Sequence, residues 1–231
     1  DTRRDVLRTY DLGHKIINGE PTNEVLEGQD PDKLFLERDI SYLKEATNDA
    51  DGGRMVIVLP KQNLSGAKEE SVEFRKWLLK RVQITAIVDL PREAFQPHTG
   101  TKTSLVFLKK VRNIPANYPI FMAVSEAVGH DRRGLPLYKK DSNGTDLRND
   151  KNERVIWNDL PEILDRYKEY TEKGFLNNTN TDGGPSCFIV YSSNIMQDSA
   201  RRIDAWYWEP NKNNIAKQIE ESVGDDIKEI V

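Results

Sequence analysis

Three short apolar runs constrain this chain most: Met55–Leu59, Ile84–Leu90 and Thr103–Leu108. Each is too short for a helix core, rich in aliphatic side chains and bounded by Gly, Pro or charge, the pattern of buried strands. Between the first two, Glu70 to Val82 puts Phe74, Trp77, Leu78 and Val82 on one helical face, with Arg75, Lys76, Lys80 and Arg81 elsewhere. Strand, helix and strand in that order predict a right-handed βαβ unit in an α/β sheet. The uninterrupted Met55–Leu59 run is expected to be covered on both faces, as parallel strands flanked by helices are. The strand from Thr103 is expected to return antiparallel, at the edge.

Between the second and third runs lies Pro91 to Lys102, far longer than the roughly two to five residues that close a tight hairpin. A connection of that length points to a working loop or a disordered one, and its residue types favour work. Phe95 offers a stacking face, and His98, Thr99, Thr101 and Thr103 offer short hydrogen-bonding groups. Gly100 lets a ligand approach the backbone, and Lys102 adds a positive charge. For Phe95 the alternative is a core anchor.

Elsewhere, Pro31 to Glu45 predicts a helix with Asp30 at its N-cap and Leu34, Leu36, Ile40 and Leu43 on one face. Pro119–Val124 is a further strand. Asp131 to Lys140 is basic and turn-rich, an exposed hairpin or loop on which Arg132, Arg133, Lys139 and Lys140 are candidates for phosphate contact. The runs Arg75–Arg81 and Lys109–Arg112 are expected to be solvated faces. Trp157 to Tyr170 predicts a helix capped by Asp159, with Trp157 and Trp77 in the core. Trp206 and Trp208 either mark an interface or pack on the chain's own sheet. Asn177–Pro185 looks like a linker, Asn211–Val231 is charged and expected to be helical, and no internal repeat is visible. The expected divisions are 1–125, a basic loop and helix extension at 126–185, and a connecting segment at 186–231.

Composition sets wide bounds. A net charge of -4 excludes coating nucleic acid by bulk electrostatics but leaves room for a local groove. One cysteine excludes an internal disulfide framework and fits a cytoplasmic setting. No run reaches the roughly 18 apolar residues of a membrane span. His14, His98 and His130 lack companions at ligand spacing, so no metal is expected. No Gly-x-Ser-x-Gly motif supports a hydrolase.

Asp89-Leu-Pro-Arg-Glu-Ala-Phe-Gln-Pro-His-Thr-Gly-Thr-Lys-Thr-Ser104, followed by Leu-Val-Phe-Leu-Lys-Lys110, resembles the late hairpin of N6-adenine DNA methyltransferases, particularly the methylation subunits of type I restriction-modification systems. Gly52-Gly53-Arg54-Met-Val-Ile-Val-Leu-Pro60 resembles that family's fifth strand with its preceding turn. Leu34 to Leu43 resembles the helix before it, and Tyr10-Asp-Leu-Gly-His14 the segment after the catalytic loop. Arg201 to Pro210 resembles the opening of the next module in restriction-modification polypeptides. Four segments agree in order over roughly the first half of the chain.

The resemblance implies a partial Rossmann-like methyltransferase sheet, made of late strands with an antiparallel edge hairpin, plus a mixed C-terminal extension. It implies methyl transfer from S-adenosylmethionine to adenine N6 in a parent protein, with DNA and with specificity and restriction subunits as partners. Phe95 would flank an extruded base, while His98, Thr99, Gly100, Thr101 and Lys102 would line the target side. The family's glycine-rich cofactor loop and its Asn-Pro-Pro-Phe or Asp-Pro-Pro-Tyr motif are absent from this sequence. No catalytic or cofactor-binding residue is therefore assigned. The chain, starting without Met, is expected to be a piece of a longer protein that by itself neither binds S-adenosylmethionine nor transfers methyl. Two alternatives are a catalytically inactive DNA-binding or assembly module, and part of a single-chain restriction-methylation enzyme. Without earlier strands, the Met55–Leu59 strand would leave an open edge through which copies could pair into a homo-oligomer.

Overall fold

A computed structural model describes residues 2–48, 50, 52–174, 176 and 184–210. Most of the linker and all of Asn211–Val231 lie outside the described residues. The first helix, α1 (Thr2–Leu7), leads to a hairpin of β1 (His14–Ile17) and β2 (Glu20–Val25). Its turn is Asn18-Gly19, with φ of 53° and 77°. Both residues need the left-handed region that Asn and Gly tolerate, which makes this dipeptide a strong hairpin signal. The turn is fastened to the body, since Gly19 N donates to Glu73 Oε2 at 2.8 Å.

Then follow α2 (Pro31–Tyr42), β3 (Arg54–Pro60), α3 (Lys61–Ser65), α4 (Glu69–Arg81), β4 (Gln83–Asp89), β5 (Thr103–Lys109) and β6 (Pro119–Val124). The chain continues through α5 (Leu160–Lys173), β7 (Ser186–Tyr191), α6 (Ser192–Gln197) and α7 (Ala205–Trp208). Asp30 and Asp159 occupy N-cap positions, but neither side chain bonds its helix. Asp30 pairs with Lys33 at 3.3 Å. Asp159 accepts from Ser125 Oγ and Glu126 N, each at 2.6 Å, and so holds the segment leaving β6.

The five strands from β3 onward form one mixed sheet in the order β3-β5-β4-β6-β7. β5 runs antiparallel to both β3 and β4, β4 is parallel to β6, and β7 is antiparallel to β6. Thus β3, β4 and β6 point the same way. The architecture is α/β with a partial Rossmann-like sheet, but two expectations are corrected. The Thr103 strand is not an edge: it lies between β3 and β4, and its Ser104, Val106 and Leu108 are buried. Among the described residues β3 and β7 are the two edges, and β3 is not covered on both faces, since Val56 and Val58 are 54% and 41% exposed. An apolar run shows that a strand is half-buried at least; its place in the sheet depends on which neighbour pairs with it.

One face of the sheet packs Leu59, Ile84, Ile87, Val106 and Ile120 against Leu36, Ile40, Phe74, Trp77 and Leu78 of α2 and α4. The other packs Ala86, Val88, Phe121 and Ala123 beneath Ile163 and Tyr167 of α5. A bulge between Ile84 and Ala86 shifts the alternation along β4, so that Ile84 and Ile87 share one face while Ala86 and Val88 share the other. Trp77 is core as expected, but Arg75 is no part of a solvated face. It is fully buried, and its guanidinium donates to the carbonyls of Asn63, Gly66 and Ala200.

Residues 126–159 hold the largest departure from expectation. The helix starts at Leu160, and Trp157 belongs instead to a small β module. Three turns share one construction: Oδ1 of Asp131, Asp141 and Asn149 each accepts the backbone N–H groups two and four residues on. Each turn then closes through a residue of positive φ, namely Gly134, Gly144 and Asn152. Backbone bonds link the segments in three-way rings. Gly129 N donates to Trp157 O, Trp157 N to Leu137 O and Leu137 N to Gly129 O; Lys139, Val155 and Leu147 repeat the cycle. This is an internal repeat of three turns, hidden in the sequence because only an Asx, a Gly or Asn and an aliphatic residue three positions later recur.

Candidate functional site

Because β3, β4 and β6 are parallel, their carboxyl ends gather on one side of the sheet, the usual place for ligands in open α/β sheets. β4 ends at Asp89, which is buried. Its Oδ1 accepts from Ser104 Oγ at 2.6 Å, and Ser104 is its cross-strand partner. Its Oδ2 accepts from Lys61 Nζ and from Trp206 N, both at 3.0 Å. Lys61 Nζ also faces Asp204 Oδ2 at 3.3 Å. Burial pushes the Asp204 carboxyl above the ordinary aspartate range, Asp89 acts in the same direction, and Lys61 opposes both.

The loop Pro91–Lys102 rises from this base. Leu90 N donates to Thr103 O at 3.0 Å and Lys61 N to Lys102 O at 2.9 Å, so both ends are fixed to the sheet. Arg92–Phe95 makes one turn of 3-10 helix, and Thr99 N returns to Phe95 O at 3.0 Å. Thr99 Oγ1 bonds Thr101 Oγ1 and accepts from Thr101 N. Phe95 is 39% exposed, and His98, Thr99, Gly100, Thr101 and Lys102 all face solvent. Phe95 is therefore not a core anchor. Gly100 lies over the stem of Arg92 and the side-chain amide of Gln96 without a positive φ.

The phosphate candidates separate. The turn carrying Arg132 and Arg133 lies against the loop: a methyl added to Gly134 would meet Pro97 Cδ at 4.0 Å. Together they border a cleft of about 430 Å³ whose lining includes Pro91, Glu93, His130 and Arg132. Backbone N–H groups of Leu135 and Arg133 hold the Asp131 carboxyl below its ordinary range. Lys139 lines a different cleft, and Lys140 pairs with Asp146 at 3.0 Å, so neither joins the loop. Another cleft of about 240 Å³ between the hairpin, α2 and α4 is rimmed by Lys15, Lys33, Glu69 and Glu70, with Lys33 and Glu70 paired at 2.6 Å.

Sequence reasoning missed Lys61, Asp89, Ser104, Asp204 and Trp206 as a group. Asp89 and Ser104 stood inside the quoted motif, but nothing local links them to residues more than a hundred positions later. Trp208 packs on the chain's own structure, while the Trp206 side chain stays half in solvent. Trp208 Nε1 donates to Arg202 O at 2.9 Å, and Arg202 sits 4.5 Å over the Tyr207 ring. Burial pushes the Cys187 thiol up to about 12, which leaves it a packing residue at neutral pH. Among the described residues, no group of three or more His, Cys, Asp and Glu side chains gathers as for a metal ion. Nor is any helix among them long and apolar enough to cross a membrane.

Comparison with known proteins places these features in context. The profile of the N-6 DNA methylase family matches residues 27–181. The type I restriction enzyme EcoEI methylase subunit of Escherichia coli is 36% identical over 77 residues, which cover 33% of this chain and 14% of that protein. A chain from a structure of the type I R-M system superposes with a TM-score of 0.51 at 18% identity, covering 89% of this chain and 40% of that one. A type I restriction-modification methyltransferase subunit from Streptococcus thermophilus gives 0.46 at 17% identity, covering 79% of this chain and 31% of its own. The structural likeness is one of fold. The chain spans well under half the length of each of these relatives.

Proposed function

The chain belongs to the N-6 DNA methylase family, and from that premise we propose that it supplies the target-DNA side of an adenine-N6 methyltransferase domain of the type I restriction-modification kind. The observation that carries this reading is the loop Pro91–Lys102, exposed yet anchored at both ends to the carboxyl edge of the sheet and abutted at Pro97 by the turn that carries Arg132 and Arg133. Phe95 would stack beside an adenine swung out of the duplex and replace part of the stacking it loses. His98, Thr99, Thr101, Lys102 and the backbone at Gly100 would hold the neighbouring sugar and phosphate. Arg132 and Arg133 would contact phosphates further along. Lys139 and Lys140 have no part in this surface.

The whole protein would move a methyl group from S-adenosylmethionine to adenine N6 in concert with specificity and restriction subunits. A single polypeptide joining those activities is the variant, and a non-catalytic DNA-binding or assembly module is the alternative. The ends of the parallel strands do not fit the cofactor. β3 runs straight into α3 through Lys61, which is engaged by two aspartates; both Asp89 oxygens are bonded, and Ser125 after β6 is tied to Asp159. Lys61, Asp89 and Ser125 offer neither a glycine-rich turn nor an uncommitted carboxylate, so no step through S-adenosylmethionine is assigned to these residues. In this reading residues 1–125 carry sheet and loop, 126–185 the turn module and α5, and 186–231 the last strand and a connection onward.

Titration of the chain with a labelled duplex containing a mismatched adenine, at several salt concentrations, tests the surface. Arg132→Ala and Lys102→Ala should each weaken binding and flatten log K against log salt by about one unit. Phe95→Ala should weaken binding without changing that slope. Three variants that bind as the parent chain does would sink the proposal.

A further inference from the structure

The segment Ala200–Glu209 is clasped to the same end of the sheet as the loop. Arg75 donates to Ala200 O, Asp204 caps α7 through Tyr207 N at 3.2 Å, and Trp206 N is held by Asp89. Trp206 remains 48% exposed, with Lys61 Nζ 5.0 Å from the ring centroid. The backbone of Lys61 also holds Lys102 at the loop's end. An indole this large, half in solvent and fixed through its own main chain, loses little freedom when a flat ligand settles on it.

We infer that Trp206 is a second nucleobase-stacking wall, set beside the loop and taking an unpaired base of the same DNA strand region. The inference rests on the target-side reading of the loop and deepens it. Charge selects the ligand class. Lys61 faces two aspartates, so the cluster around Trp206 brings no surplus positive charge for phosphate, and what it offers is an aromatic face. Stacking on such a face tolerates any base and contributes no counterion release, so its signature differs from that of Lys102 or Arg132.

The test uses the full chain with a duplex bearing a mismatched adenine, a single-stranded oligonucleotide and a fully paired duplex. Trp206→Ala should lower affinity for the first two probes about tenfold, leave the salt slope unchanged and affect the paired duplex less. Trp206→Phe, which keeps a ring and the same main-chain anchors, should retain most of the affinity. It should also lose most of the tryptophan quenching that unpaired DNA causes in the parent chain, because Trp77 is buried and Trp157 and Trp208 are only partly exposed. Should Phe95→Ala weaken binding while Trp206→Ala and the quenching of Trp206→Phe stay at parent values, the loop keeps its role and the second wall is overturned. Absence of DNA binding by the chain overturns both.

Discussion

The carboxylate of Asp204 is buried with Oδ2 facing Lys61, while Oδ1 is buried without a hydrogen-bond partner. Its pKa is raised first by burial and then by Asp89, so the folded chain holds this proton more tightly than the unfolded chain does. Linkage then fixes the sign. Asp204 favours folding most below the ordinary aspartate range, and that contribution is lost as pH rises through the raised value. Asparagine at 204 has no proton to lose. Urea midpoints of the parent and Asp204→Asn from pH 4 to 8 should diverge in favour of Asn as pH increases; a gap that narrows with pH would show that pairing with Lys61 outweighs burial. None of this is legible locally, because Asp204 sits in a charged stretch and reads as a surface residue. Arg75 misleads in the same way. A guanidinium on an amphipathic helix looks solvated until three carbonyls from two other segments close around it.

The elements that sequence marks best are those whose signal is local. Asn18-Gly19 carries such a signal for the β1–β2 turn, one that no expectation above drew on, and only the structure shows the turn docked on α4. Gly19→Ala would combine a positive φ with a methyl 2.9 Å from the Lys76 main chain. A loss of about 2 kcal/mol is expected, read as a lower urea midpoint at unchanged m-value. A loss below about half that would mean the hairpin shifts freely. Strands β4 and β5 and helix α4 were also legible, since a short aliphatic run and a one-sided helix each have a single sensible environment. Trp157 was not. Its neighbourhood has helical spacing, but competing Asx turns at Asp131, Asp141 and Asn149 draw residues 128–158 into a three-turn module. That module brings the Arg132 turn against Pro97 of the loop and leaves Lys140 paired with Asp146.

At the scale of the molecule, the free side of β3 combines an open hydrogen-bonding edge with the exposed Val56 and Val58. Such an edge favours pairing with another strand. The chain in isolation is expected to self-associate as concentration rises, and Val56→Lys should suppress this while moving stability by no more than about 0.5 kcal/mol. Sedimentation velocity over a concentration series decides it, and a parent chain that stays monomeric throughout would remove the edge as the cause.

Sequence alone determined the strand-helix-strand unit around α4 and the loop between β4 and β5, together with the motif that carries the family resemblance. These depend on residue periodicity and turn chemistry within a few positions. Only the tertiary structure decided that β5 enters between β3 and β4, that Arg132 rather than Lys140 shares a cleft with the loop, and that Trp206 reaches Asp89 across 117 residues. Strand order and buried charge pairing are settled by which distant segments exclude water together, and no local pattern encodes that competition.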